Sequence, residues 1–146
     1  MSQEKKQPHV YSFKELSSLE LPLYESRVSA GFPSPADDEL DETLDLNKYL
    51  VRHPEATFFV RVDGDSMVNV GMYSGDILIV DRAQPVQHND VIVAVVDGEF
   101  TVKRFVRTDE GGVELHPENP AYEPIVLTEE TEFTVWGVVS YVIHAV

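Results

Sequence analysis

The chain has no cysteine, so no disulfide framework can staple it, which agrees with a reducing cytosol. Nor does it have an apolar run approaching the roughly 20 residues that a membrane span needs. The opening residues Met1 to Pro8 lack the apolar centre of a signal peptide. A soluble, cytoplasmic protein with no membrane partner is the expectation. Basic residues are also scarce, with 11 Lys+Arg against 26 Asp+Glu and a formal net charge of −15. The imbalance is uneven: residues 1 to 30 hold four acids and four bases, so all of it falls on Gly31 to Val146, where 7 bases face 22 acids. Such a surface repels phosphate backbones, so direct DNA binding is not expected, and work near DNA requires another protein. The histidines, His9, His53, His88, His116 and His144, show no pair at metal-ligand spacing, and we assign neither metal nor cofactor.

What is present suffices for one compact domain: 146 residues, 42% of them apolar, can fill a core without staples. Residues 1 to 12 are polar and expected to be mobile. From Phe13 to Val28 apolar residues recur without a helical or strand period, and Pro22 interrupts any helix, which reads as an arm docking on a body. Small residues and two prolines in Ser29-Ala30-Gly31-Phe32-Pro33-Ser34-Pro35-Ala36 favour an extended, solvated backbone, a natural linker and a natural place for cleavage. The pattern Asp41 to His53 has acids first and Lys48, Arg52 and His53 last, as a helix dipole prefers, and Pro54 ends it. The acids from Asp37 to Asp45 lack the spacing of a Ca²⁺ loop, so a short solvated helix is preferred to a metal site.

From Thr57 onward the pattern is β. Runs at Phe58–Val62, Ile77–Val80, Val91–Val96, Phe100–Arg107, Val113–His116, Ile125–Thr128 and Phe133–Ala145 are separated by turn residues. Asp97-Gly98 is the clearest hairpin signal. The expected fold is mostly β, a barrel or sandwich of about seven strands, with a short helix in front and a flexible N-terminal arm. Trp136 is assigned to the core or to a dimer interface.

The centre of this pattern is Arg61-Val62-Asp63-Gly64-Asp65-Ser66-Met67, where a strand runs into a turn that presents a serine. A serine hydroxyl is a poor nucleophile at neutral pH and needs a base within hydrogen-bond reach. Lys103 is the one lysine after Lys48, and it sits within a β-favouring run. If its strand face is buried, loss of hydration disfavours the ammonium and leaves an amine able to take a proton. The competing reading is an exposed lysine whose stem covers apolar surface, and Gly-Asp-Ser is also an ordinary turn. Nucleophile, strand lysine and a small-small bond, Ala30-Gly31, occur together here. The residues between Gly31 and Ser66 span on the order of 100 Å if extended, enough to reach the chain's own site or a partner's.

Ala30-Gly31-Phe32-Pro33-Ser34-Pro35, Gly64-Asp65-Ser66-Met67, Ser74-Gly75-Asp76, the run Asp97 to Lys103 and Asn119-Pro120-Ala121-Tyr122 resemble the LexA-like family of Ser-Lys self-cleaving peptidases, in its UmuD-type branch. The likeness runs from about Leu23 to the C-terminus. It implies a LexA-like β fold, Ser66 as nucleophile, Lys103 as general base, and an oxyanion hole from the backbone N–H groups of Ser66 and Asp65. It also implies a scissile bond at Ala30-Gly31, dividing the chain into an arm of residues 1 to 30 and a body of residues 31 to 146. Members of that branch commonly carry cysteine where Ala30 stands, and both side chains are small. The implied activity is SOS-response self-cleavage stimulated by a RecA filament on single-stranded DNA. The cut homodimer would then serve as accessory subunit of an error-prone Y-family, UmuC-like polymerase. A repressor role fits poorly, because thirty residues cannot hold a helix-turn-helix domain. The alternative class is a non-catalytic β adaptor regulating a polymerase, with Ser66 and Lys103 incidental. A signal-peptidase relationship would demand a membrane anchor that the sequence does not show.

Overall fold

The computed structural model of the chain describes residues 10–12, 18–24, 30–31 and 40–146. Most of the expected arm and the proline-bearing linker lie outside the described residues. Among the described residues, ten strands and one short α-helix follow in order, with two 3₁₀ turns at Pro54–Ala56 and Val68–Val70: β1 Val10–Ser12, β2 Leu21–Tyr24, β3 Leu40–Leu44, α1 Leu46–Leu50, β4 Thr57–Arg61, β5 Ile77–Asp81, β6 Val91–Val96, β7 Glu99–Arg107, β8 Val113–His116, β9 Ile125–Val126 and β10 Phe133–Ile143. All seven runs expected from the sequence form strands, β4 to β10. The fold is mostly β, as expected, but it has more strands than the seven foreseen.

Eight strands form one antiparallel sheet in the order β1-β4-β5-β10-β6-β7-β8-β9, and β2 pairs with β3 separately. The eleven-residue β10 holds the sheet together. Its first half pairs with β6 and its second half with β5, with register shifts at Val135/Gly137 and Val139/Tyr141. Bulges of this kind bend and twist a strand so that it can serve two neighbours. At one of them the Val80 side chain crowds the backbone, so that a Cβ on Gly137 would lie 2.5 Å from Val80 Cγ1.

Alternation along the strands divides the apolar residues into two cores. One holds Val60, Met67, Met72, Leu78, Val80 and Val93, and the other Ile92, Ala94, Phe105, Leu115 and Val138. Val93 and its neighbours Ile92 and Ala94 point to opposite faces, as the period of two requires. Each fully buried aliphatic side chain contributes about 1.5–3 kcal/mol relative to exposure.

Two expectations need correction. The helix foreseen over Asp41 to His53 is only Leu46–Leu50, with the Asp45 carboxylate accepting from Asn47 N–H at its start. Leu40–Leu44 is instead strand β3, because Leu21, Pro22 and Leu23 of β2 pair with Leu44, Thr43 and Glu42. Pairing with a segment some twenty residues upstream overrides the local preference. Pro22 is tolerated because both strands of a two-stranded ribbon are edges, where the N–H groups at alternate positions face away from the partner. Within the stretch 1 to 12, expected to be mobile, Val10–Ser12 pairs with Val60, Phe59 and Phe58 and covers what would otherwise be the open edge of β4.

Candidate active site

Strand β4 delivers the chain to Val62, whose N–H and C=O are tied to Asp76 and Gly75, and the backbone then turns at Gly64. Ser66 follows in this turn, half-buried, with Met67 beside it almost wholly buried in the first core. The anchored Val62 and Met67 on either side leave Ser66 little freedom to wander.

The second component arrives on β7. Asp97 and Gly98 take the positive φ values, 48° and 81°, that a tight two-residue hairpin requires, and they set the register Ile92↔Lys103. Lys103 is 8% exposed, and its Nζ lies 3.0 Å from Ser66 Oγ, from Thr101 Oγ1 and from the Val102 carbonyl oxygen. Among the described residues no carboxylate pairs with it. Burial therefore acts unopposed and pulls the amine below its ordinary value of 10.5. Of the two sequence readings for Lys103, the exposed one is excluded.

Both residues open onto a groove of about 1040 Å³ walled by residues 60–64, Ser74-Gly75 and 98–103. Phe100 lines it and packs edge-on against Trp136, which is itself flanked by Phe58 and by the Arg82 guanidinium. Trp136 thus backs the groove as well as packing on the first core. Among the described residues, no hydrogen bond engages the backbone N–H of Asp65 or of Ser66. Ala30 and Gly31 form an exposed bend, and a Cβ on Gly31 would meet none of the described atoms within 4 Å.

A serine hydroxyl beside a buried amine that no carboxylate pairs with among the described residues is an arrangement that can act as nucleophile and base. The model for the family described as Peptidase S24-like matches residues 22–140. The chain belongs to the peptidase S24-like family. It is 49% identical over 123 residues to Protein SamA of Salmonella typhimurium, covering 84% of each chain. It is 43% identical over 123 residues to Protein ImpA of Escherichia coli, covering 84% of this chain and 83% of that one. With Protein MucA of Salmonella typhimurium it shares 41% over 122 residues, 83% of this chain and 82% of that one. These three are UmuD-like members of the family, as the sequence motifs imply.

This S24-like site has one component that sequence reasoning left without a role. The loop after β8 lies against the serine turn. Glu118 N–H donates to the Ser66 carbonyl at 2.8 Å, and Asn69 N–H donates to the Glu118 carbonyl at 2.9 Å. Asn119 Nδ2 donates to the Asp65 carbonyl at 2.9 Å, and the Tyr122 hydroxyl donates to the Asp65 carboxylate, which raises the tyrosine above its ordinary value of 10.0. Arg104, next to Lys103, closes the circuit through a 2.5 Å contact from Nε to the Glu118 carboxylate. The motif Asn119-Pro120-Ala121-Tyr122 was the available signal, but nothing in it discloses which turn it grips. Among the described residues there is no group of three His, Asp or Glu that could hold a metal, and no helix long and apolar enough to cross a membrane. Asp37 to Glu39, part of the acidic run, lie outside the described residues.

Proposed function

We propose that this S24-like chain is a self-cleaving serine peptidase of the SOS response, with Ser66 as nucleophile, Lys103 as general base and Ala30-Gly31 as the bond cut. The observation that carries the reading is the 3.0 Å approach of Lys103 Nζ to Ser66 Oγ with the amine shielded from water. As a neutral amine, Lys103 donates its two N–H groups to Thr101 Oγ1 and the Val102 carbonyl, both at 3.0 Å. Its lone pair is then left to accept the Ser66 hydroxyl proton.

Ser66 Oγ attacks the Ala30 carbonyl carbon while its proton passes to Lys103, giving a tetrahedral oxyanion. The backbone N–H groups of Ser66 and Asp65 stabilise that charge; one such donor contributes about 3–4 kcal/mol at the transition state. Collapse breaks the C–N bond, and the Lys103 ammonium returns its proton to the departing Gly31 amine. Water, deprotonated by Lys103, then cleaves the Ala30 ester and frees residues 1 to 30. Ala30 presents a small side chain, and Gly31 has no Cβ to hinder approach.

By the same family relationship, a RecA filament on single-stranded DNA stimulates the cut in a homodimer. Residues 31 to 146 then serve as accessory subunit of an error-prone Y-family polymerase. The strongly acidic body suits a basic protein partner better than DNA.

The test is incubation of purified protein at alkaline pH, followed by gel electrophoresis and mass determination. A cut at Ala30-Gly31 is expected, lost in Ser66→Ala and in Lys103→Ala. Protein that stays whole for days with and without RecA filament would leave only the adaptor role.

A further inference from the structure

The loop 118–122 makes contacts that the proposed chemistry does not use, and three of them land on the two residues whose N–H groups are the proposed oxyanion donors. In a peptide unit the C=O and N–H are fixed in one plane and point in opposite directions. The N–H of Ser66 belongs to the same unit as the C=O of Asp65. Asn119 Nδ2, held 2.9 Å from that carbonyl oxygen, therefore fixes the direction of the Ser66 N–H and leaves it turned away from the loop. Asn119 is itself locked, since its Oδ1 accepts from Ala121 N–H at 3.0 Å, and Tyr122 N–H donates to its carbonyl at 3.1 Å. The Tyr122 hydroxyl grips the Asp65 side chain, and Glu118 N–H holds the following carbonyl, that of Ser66, at 2.8 Å. Asp65 and Ser66 are thus restrained on their carbonyl sides, while no described residue engages their N–H groups.

We infer that Asn119 is a positioning residue for the oxyanion hole: by binding the Asp65 carbonyl it aims the Ser66 N–H at the oxygen of the bond being cut, with Tyr122 steadying Asp65 beside it. This rests on the assignment of Ser66 and Lys103 above, and it concerns aim alone. The base is untouched, because Lys103 contacts Ser66 Oγ, Thr101 and Val102, none of them in the loop. Loss of the Asn119 donor should therefore lower the rate at every pH by one factor without moving the pH at which the rate levels off.

Asn119→Ala is the sharpest variant, since it removes the N–H that Asp65 receives without adding a charge near Lys103. The full chain is followed for self-cleavage on gels across an alkaline pH series, with Ser66→Ala and Lys103→Ala alongside, and its unfolding midpoint is measured. The expected result is a plateau rate lowered at least about tenfold, with an unchanged midpoint of the pH profile and a displaced Ser66 amide resonance in ¹H–¹⁵N spectra. A wild-type plateau, or a profile whose midpoint moves, overturns the inference. Should Asn119→Ala fail to fold, Tyr122→Phe carries the test: a lowered plateau at unchanged midpoint supports it, and a wild-type profile overturns it. If the wild-type chain itself does not cut, or Lys103→Ala cuts as fast, the underlying Ser-Lys assignment has failed instead, so the two failures are distinguishable.

Discussion

If Lys103 is the base, the rate of self-cleavage must follow the fraction of this one amine that is uncharged. Burial is the cause of its lowered pKa, and among the described residues no carboxylate restores it, so the ammonium gives way to the neutral amine at a pH lower than 10.5. At lower pH each unit raises that fraction, and hence the rate, by about tenfold, equivalent to about 1.4 kcal/mol of activation free energy. A plot of log rate against pH should rise with unit slope and then level off below 10.5. The same amine leaves a mark on stability. Between its folded pKa and the unfolded value near 10.5, the unfolded chain binds more protons at this site than the folded one, so stability rises with pH across that window. Below the folded pKa the full penalty of burying a charge applies; above 10.5 it is gone. The assay pairs gel kinetics of the wild-type chain with urea unfolding of Ser66→Ala and of Ser66→Ala/Lys103→Met, where no cutting interferes. The stability difference between the two variants should change steadily as pH climbs toward 10.5, in favour of the lysine. A cleavage rate indifferent to pH, a plateau reached only above 10.5, or parallel stability curves for the two variants would refute the reasoning.

Gly137→Ala should destabilise the fold by about 1–3 kcal/mol, read as a lower urea midpoint, because the new methyl would sit 2.5 Å from Val80 Cγ1 at the bulge where β10 passes from β6 to β5. A wild-type midpoint would mean that the bulge has room to relax. The Asp76 carboxyl is held below its ordinary 3.8, first by the 2.6 Å hydrogen bond to His144 and then by the Tyr73 N–H. Its contribution to stability is accordingly present above pH 3.8 and lost as pH falls through the lowered folded value. Unfolding of His144→Ala measured from pH 7 down to pH 2 should show a shallower acid limb than wild type, and an identical limb would count against the pairing.

The strands β4 to β10 were legible because their short runs are rich in β-branched and aromatic residues and their turns carry Gly, Asn and Asp where the chain must reverse. Asp97-Gly98 is the clearest case, and the register it sets brings Lys103 opposite Ile92. Ser66 and Lys103 could be put forward as a pair by residue chemistry and by the scarcity of other lysines. Strands β1 and β3 could not be read in the same way, because Val10–Ser12 and Leu40–Leu44 become strands only by pairing with partners remote in sequence. Nor could the bracing loop, since a hydrogen bond from Asn119 to the Asp65 carbonyl crosses 54 residues and leaves no periodic trace.

The sequence by itself determined the β-rich body, the lack of any disulfide and the acidic charge, and it put Ser66 and Lys103 forward as candidates. Those follow from composition and from local residue pattern. Only the tertiary structure decided that the Lys103 amine is dry, that it meets Ser66 at 3.0 Å, and that a distant loop is hydrogen-bonded to the serine turn. Desolvation and alignment are properties of surroundings assembled from the whole chain, and no residue carries them alone.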